Sequence, residues 1–307
     1  MRTSERVTAR ATEWVLSCRY RGQDVRVAVK FRSAGADLLV LLHGIGCSKE
    51  SFDAAFIAPE LESYSICSLD LPGHGKSSKG LSRELYTLSA YAGITKRVIS
   101  QLPGPIDEPY RIYLAGHSMG GAVGVLVAGM REIPGKITRL VSVDGNLVAE
   151  DCGLVSRSIA AQSPERFANE GFARLLRELH SSGRDDFEAW AQWCEQAVPD
   201  AVHSAARSLV AWSDRGVLLR QFNQLVSKAF VYGALDDKKY LLKRLERAAQ
   251  VPIAAAGHFM MVDNQKAFYE SLSDVLKTDL GSYGSSASGD KTPSSVSLRK
   301  AAPINSK

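Results

Sequence analysis

The sequence predicts an α/β protein: a mostly parallel sheet of about eight strands with flanking helices and a helical insertion after the sixth strand. Three observations carry this. From residue 37 to residue 143, short apolar runs alternate with stretches of helical period, the pattern of successive βα units. The alternation stops after Asp144-Gly145-Asn146 and resumes at Lys228-Ala229-Phe230-Val231. Before it, two alternating segments flank Arg21-Gly22-Gln23-Asp24, the signature of an antiparallel hairpin.

The elements follow in order. Residues 12–30 form the hairpin. Strand 37–42, helix 48–57, strand 64–70, helix 84–102, strand 111–116, helix 118–130 and strand 137–143 build the first part of the sheet. Residues 147–226 follow mostly at helical period and hold Trp190, Trp193 and Trp212, three of the four tryptophans. Large aromatics concentrated between two strands read as a helical cap over the strand ends, where open α/β sheets bind ligands. A strand at 228–233, helix 238–248, strand 251–255 and helix 264–280 complete the core. The expected division is therefore core 1–146, cap 147–226, core 227–280 and a tail 281–307. The tail's Gly- and Ser-rich composition offers too little apolar area to offset ordering entropy, so it is expected to be disordered.

Bulk properties exclude several classes. A net charge of +5 on 307 residues is modest, and residues 146–226 carry 8 arginines, no lysine and 11 acids, so the insertion is slightly acidic. Without a basic stripe interleaved with aromatics, nucleic-acid binding is not expected. No run of 18 apolar residues suggests a membrane span, and the amino-terminal residues lack a secretory apolar region. Cys18, Cys47, Cys67, Cys152 and Cys194 are odd in number and lack a Cys-x-x-Cys pair, which fits reduced thiols and a cytoplasmic location. Histidine and carboxylate spacings match no metal motif, and Gly73-His74-Gly75-Lys76-Ser77 lacks the first glycine of a phosphate loop, so neither metal nor cofactor is expected.

The chemistry centres on Gly116-His117-Ser118-Met119-Gly120, between an apolar strand and a Gly/Ala-rich helix. A serine hydroxyl is a weak nucleophile. A sharp strand-to-helix turn exposes it, requires small residues two positions away on either side, and aims a helix N-terminus at the developing oxyanion. Ser118 is the expected nucleophile. Asp236 and His258 follow it in the order nucleophile, acid, base, each after an apolar strand; Asp237 is the alternative acid. Oxyanion donors are expected from the backbone N–H groups of Met119 and of Ile45, in the turn His43-Gly44-Ile45-Gly46. Candidate substrate-binding residues are His43, Asp144, Asn146, Arg157, Trp190, Trp193 and Trp212.

His43-Gly44-x-Gly46, Asp70-x-Pro72-Gly73-His74-Gly75-x-Ser77, the Ser118 pentapeptide, Tyr232-Gly233-Ala234-Leu235-Asp236 and Ala256-Gly257-His258-Phe259 together resemble the α/β-hydrolase superfamily, in its capped esterase and epoxide-hydrolase-like branch. The resemblance spans residues 12–280. It implies the α/β-hydrolase fold, and it favours Asp236 over Asp237 because the acid commonly stands three residues after that glycine. Serine at position 118 argues against the dehalogenase and epoxide-hydrolase members, which place aspartate there. The implied activity is hydrolysis of a small to medium carboxylic ester or lactone through an acyl-enzyme, without a cofactor. Alternatives are a C–C or amide hydrolase with the same triad, a ligand receptor that retains it, or lyase or oxygenase chemistry run by His258.

Overall fold

The computed structural model describes residues 10–104, 110–131, 133 and 135–278. The tail expected at 281–307 lies outside them. Eight strands, β1 (Thr12–Tyr20), β2 (Gln23–Arg32), β3 (Asp37–Leu42), β4 (Ser65–Leu69), β5 (Arg111–His117), β6 (Lys136–Val143), β7 (Lys228–Gly233) and β8 (Ala249–Ile253), form one sheet. Their order is β1-β2-β4-β3-β5-β6-β7-β8. The β1–β2 hairpin and the β2–β4 pair are antiparallel; from β4 to β8 every pair is parallel. All parallel strands therefore end at one edge of the sheet.

Central strands are apolar because both faces are covered. Leu38 to Leu42 and Ser65 to Leu69 are buried throughout. Helix α1 (Leu88–Ile99) starts at Thr87, whose hydroxyl accepts from the Ala90 amide, and packs on α2 (Met119–Ala128). Met119 to Val127 are buried on every side of α2, so the helix shows no polar stripe. Its small residues let it lie against β5 and β6.

Between β6 and β7 run α3 (Ser156–Ala160), α4 (Pro164–Arg166), a π-helical turn, α5 (Phe172–His180), α6 (Asp185–Cys194), α7 (Pro199–Asp214) and α8 (Val217–Gln224). The last of these returns to pack on α2. After β7 come α9 (Lys239–Leu242), α10 (Met260–Asp263) and α11 (Gln265–Lys277). No helix of the described residues is long and apolar enough to cross a membrane.

Local details differ from the sequence expectation. The helix expected at 238–248 is only the single turn α9. Asn223 of α8 draws the following chain away by donating to the Arg244 carbonyl at 3.0 Å and accepting from the Glu246 amide at 3.1 Å. The segment expected as helix 48–57 is 3₁₀ (Lys49–Phe56), and a 3₁₀ turn at Arg83–Tyr86 precedes α1 where one continuous helix was expected. The last strand begins two residues earlier than expected, at Ala249.

Candidate active site

Ser118 sits between β5 and α2 with φ +52° and ψ −120°, a conformation that a side-chain-bearing residue adopts only under constraint. The constraint is visible. Its amide donates to Val143 O at 3.0 Å, and its carbonyl accepts from Gly121 at 2.9 Å and Asn146 at 3.3 Å. A Cβ on Gly116 would fall on the carbonyl of Gly120, and one on Gly120 would fall on that of Leu42. The turn is possible only with glycine at both places.

Ser118 opens into a cavity of about 260 Å³ at the C-terminal edge of the sheet, lined also by Ile45, Asn146, Trp190, Lys238 and His258. Its hydroxyl donates to Asn146 Oδ1 at 3.3 Å, a long and therefore weak bond for a hydroxyl. Asn146 is itself oriented by donation from Nδ2 to the Asp151 carbonyl at 2.7 Å.

His258 reaches the cavity from the loop after β8. Gly257 N donates to Asp263 Oδ2 at 2.8 Å, and the His258 carbonyl accepts from His117 Nε2 at 3.0 Å, which fix the loop on both sides. The imidazole Nδ1 lies 2.7 Å from Asp144 Oδ2. This corrects the expected acid: the partner of His258 is Asp144, after β6, not Asp236, after β7.

The reason is the length of chain beyond each strand. Val143 pairs with Val231, and Asp144 follows directly, its amide bonded to Val231 O at 2.7 Å and its φ of +43° turning the side chain into the sheet edge. Asp236 is carried further out by a turn in which Leu235 N donates to Ala256 O and Asp236 N to Gly233 O. It lines the cavity half-buried. Asp237 accepts from the Lys239 amide at 3.1 Å and does not line the cavity.

Asp144 is fully buried, and its second oxygen forms an ion pair of 2.6 Å with Lys238 Nζ. Burial pushes this carboxyl up, but the hydrogen bond and charge of His258 and the charge of Lys238 outweigh it and hold it down at about 2. Burial pushes the Lys238 ammonium down, and Asp144 more than restores it. For Asp236, burial and the neighbouring Asp144 charge raise the carboxyl above its ordinary range.

The turn after β3 is held by two neutral histidines. His43 donates from Nδ1 to Gly44 O at 2.7 Å and accepts at Nε2 from Leu71 N at 2.9 Å. His74 donates from Nδ1 to Pro72 O at 3.2 Å and accepts from Gly46 N at 3.3 Å. Ile45 lines the cavity, and Trp190 Nε1 donates to its carbonyl at 3.0 Å. Met119 begins α2, so its amide has no intrahelical acceptor.

Other expected site residues separate here. Trp190 reaches the cavity, packed on Phe259 with ring centroids 5.3 Å apart. Trp193 packs behind Phe259, 6.3 Å between centroids, and neither it nor Trp212 lines the cavity. His43 is fully buried beneath the turn it braces. Arg157 is half-exposed in an ion pair of 2.7 Å with Asp214, away from the cavity. Sequence reasoning missed Lys238, Tyr240, Arg184 and Phe187, all of which line the cavity. Only the position of Lys238 and Tyr240 just beyond β7 could have drawn attention to them.

Comparison with known proteins agrees with this architecture. The chain is 31% identical over 278 residues to Lipase 1 of Psychrobacter immobilis, covering 80% of each protein. It is 30% identical over 141 residues to the dihydrolipoyllysine-residue acetyltransferase component of the acetoin cleaving system of Cupriavidus necator, spanning about a third (35%) of that relative's length. A mutant of the N-acyl homoserine lactonase AidH, solved with N-hexanoyl homoserine lactone, superimposes with a TM-score of 0.69 over 87% of this chain and 97% of that one, at 17% identity. Residues 39–271 match the Alpha/beta hydrolase family, and the chain is a member of it.

Proposed function

We propose that the protein is a serine hydrolase that cleaves a small carboxylic ester or lactone through an acyl-enzyme. The observation that carries this reading is a strained Ser118 sharing one cavity with His258, whose Nδ1 is held at 2.7 Å by the buried Asp144.

Asp144 commits Nδ1 of the imidazole, leaving Nε2 to exchange protons. Ser118 Oγ attacks the carbonyl carbon as its proton passes to Nε2, and the oxyanion is met by the amides of Ile45 and Met119. Nε2 returns the proton to the leaving oxygen as the C–O bond breaks. A water molecule then attacks the acyl carbon, giving a proton to Nε2, which passes it to Ser118 Oγ as the acid leaves. Asp144 stays ionised and offsets the imidazolium charge.

The helices between β6 and β7 serve as the cap, with Phe187 and Trp190 of α6 as the apolar wall of the pocket. A cavity of about 260 Å³ favours a short acyl group. The Psychrobacter relative is named a lipase and the superimposed structure a lactonase, which supports ester or lactone carbonyls as the substrate class. For cleavage of an anionic keto acid, Arg157 is paired outside the cavity and the cavity's Arg184 is paired with Asp186 at 2.6 Å, so neither arginine is a free anchor.

The test is labelling with a fluorophosphonate and location of the adduct by mass spectrometry, alongside turnover of graded p-nitrophenyl esters and acyl lactones. The adduct is expected on Ser118, with turnover strongest for short acyl chains. Ser118→Ala should lose both, by a factor of about 10⁴ or more in kcat. Wild-type turnover in Ser118→Ala would overturn the mechanism.

A further inference from the structure

The carboxylate of Asp144 is gripped at both ends. Oδ2 faces His258 Nδ1 at 2.7 Å, and Oδ1 faces Lys238 Nζ at 2.6 Å. Asp144 has no exposed side-chain surface and Lys238 keeps only 13%. A buried carboxylate beside a neutral imidazole is a charge without a countercharge, a costly arrangement. Lys238 supplies that countercharge in the resting site, before any imidazolium exists. It also restricts rotation of the carboxylate, so that Oδ2 stays in line with Nδ1.

Other groups around the pair do not replace this cation. His117, from the end of β5, is neutral; Glu150, Asp151, Asp236 and Asp263 are acids; Tyr240 donates to Asp151 at 2.6 Å; and Arg184, before α6, is engaged by Asp186.

We propose that Lys238 is a positioning residue for the reaction: it holds Asp144 against His258 and supplies the countercharge of the buried carboxylate. This rests on the reading of Ser118 and His258 given above.

The experiment compares the full-length protein with Lys238→Gln, Lys238→Met and Lys238→Arg, measuring kcat and KM for p-nitrophenyl acetate and the rate of fluorophosphonate labelling. Lys238→Gln, which keeps a hydrogen-bond donor, and Lys238→Met are expected to slow fluorophosphonate labelling of Ser118 about tenfold, because the imidazole is no longer held in line. They should also lower kcat more than they raise KM. Lys238→Arg should keep most of the wild-type kcat and labelling rate. Should Lys238→Met fail to fold, the Gln and Arg pair reads the same difference. A kcat and labelling rate common to wild type and Lys238→Gln, in protein whose Ser118 is labelled, would overturn the role of Lys238 while leaving the serine mechanism standing. An unlabelled wild type, or turnover that survives Ser118→Ala, would remove the serine mechanism and this inference with it.

Discussion

Trp190 of α6 donates its indole N–H to the carbonyl oxygen of Ile45 at 3.0 Å, so the helical insertion holds the loop expected to bind the oxyanion. Peptide planarity means that fixing the carbonyl of a residue limits how its neighbours can rotate. From the other side, His74 accepts from the Gly46 amide. Trp190→Phe keeps the contact with Phe259 but removes the donor. It is expected to lower kcat on p-nitrophenyl acetate about tenfold with a smaller change in KM, because a misplaced oxyanion donor is felt mainly in the transition state. Steady-state kinetics of the variant check this; a loss confined to KM would place Trp190 in substrate binding alone.

Two carboxylates from adjacent strand ends line the cavity, and only one touches His258. Asp144→Asn should reduce kcat by about 10³ or more through loss of the charge that orients and stabilises the imidazolium. Asp236→Asn should cost less than tenfold. Kinetics of both variants decide between the carboxylates, and the reverse ranking would return the acid role to Asp236.

Three histidines make the fold sensitive to acid. Burial holds His43 at about 4, and burial holds His74 and His117 at about 3, so all are neutral in the folded protein. On unfolding, each takes up a proton below its ordinary value of about 6.5. Stability is thus full above pH 6.5 and falls as the pH drops toward 4, at up to about 4 kcal/mol per pH unit near pH 5 for the three together. Asp144, held down at about 2, adds a further loss as the pH falls from about 4 to 2. Urea titrations at pH 7.5, 6 and 5 should show the midpoint dropping steeply. An unchanged midpoint would mean that these rings are protonated in the native state.

At the elbow, Gly116→Ala and Gly120→Ala would each force a methyl group into backbone carbonyl oxygens rather than into movable side chains. Each should destabilise the protein by several kcal/mol, beyond the usual range for a surface change. Thermal unfolding of the purified variants, or their failure to accumulate as folded protein, checks this; near-native melting would show that the elbow can relax.

Much of the candidate site was legible because its pieces are local. Ser118 is recognisable from the glycines around it, since the turn that exposes it excludes larger residues at those positions. His258 is recognisable from its place after a strand and late in the chain. Trp190 stood out as one of the aromatics concentrated in the insertion, but Trp193 and Trp212 share that composition and lie outside the cavity. Helical period does not give the angle at which α6 meets the loops. Arg157 was a candidate as a cation of the insertion that an anionic keto-acid substrate would need, and a partner on α7, Asp214, claims it.

The sequence by itself determined the parallel sheet, the elbow, the insertion between β6 and β7, and the edge at which Ser118 and His258 reach one cavity. Each follows from periodicity, turn chemistry or chain order, which act over a few residues at a time. Only the tertiary structure decided that Asp144 rather than Asp236 faces His258, that Lys238 grips the same carboxylate, and that Trp190 anchors Ile45. Those choices depend on strand register, on the few residues separating a strand end from its side chain, and on the docking of the insertion. Contacts between distant parts of the chain set all three, and no local pattern encodes them.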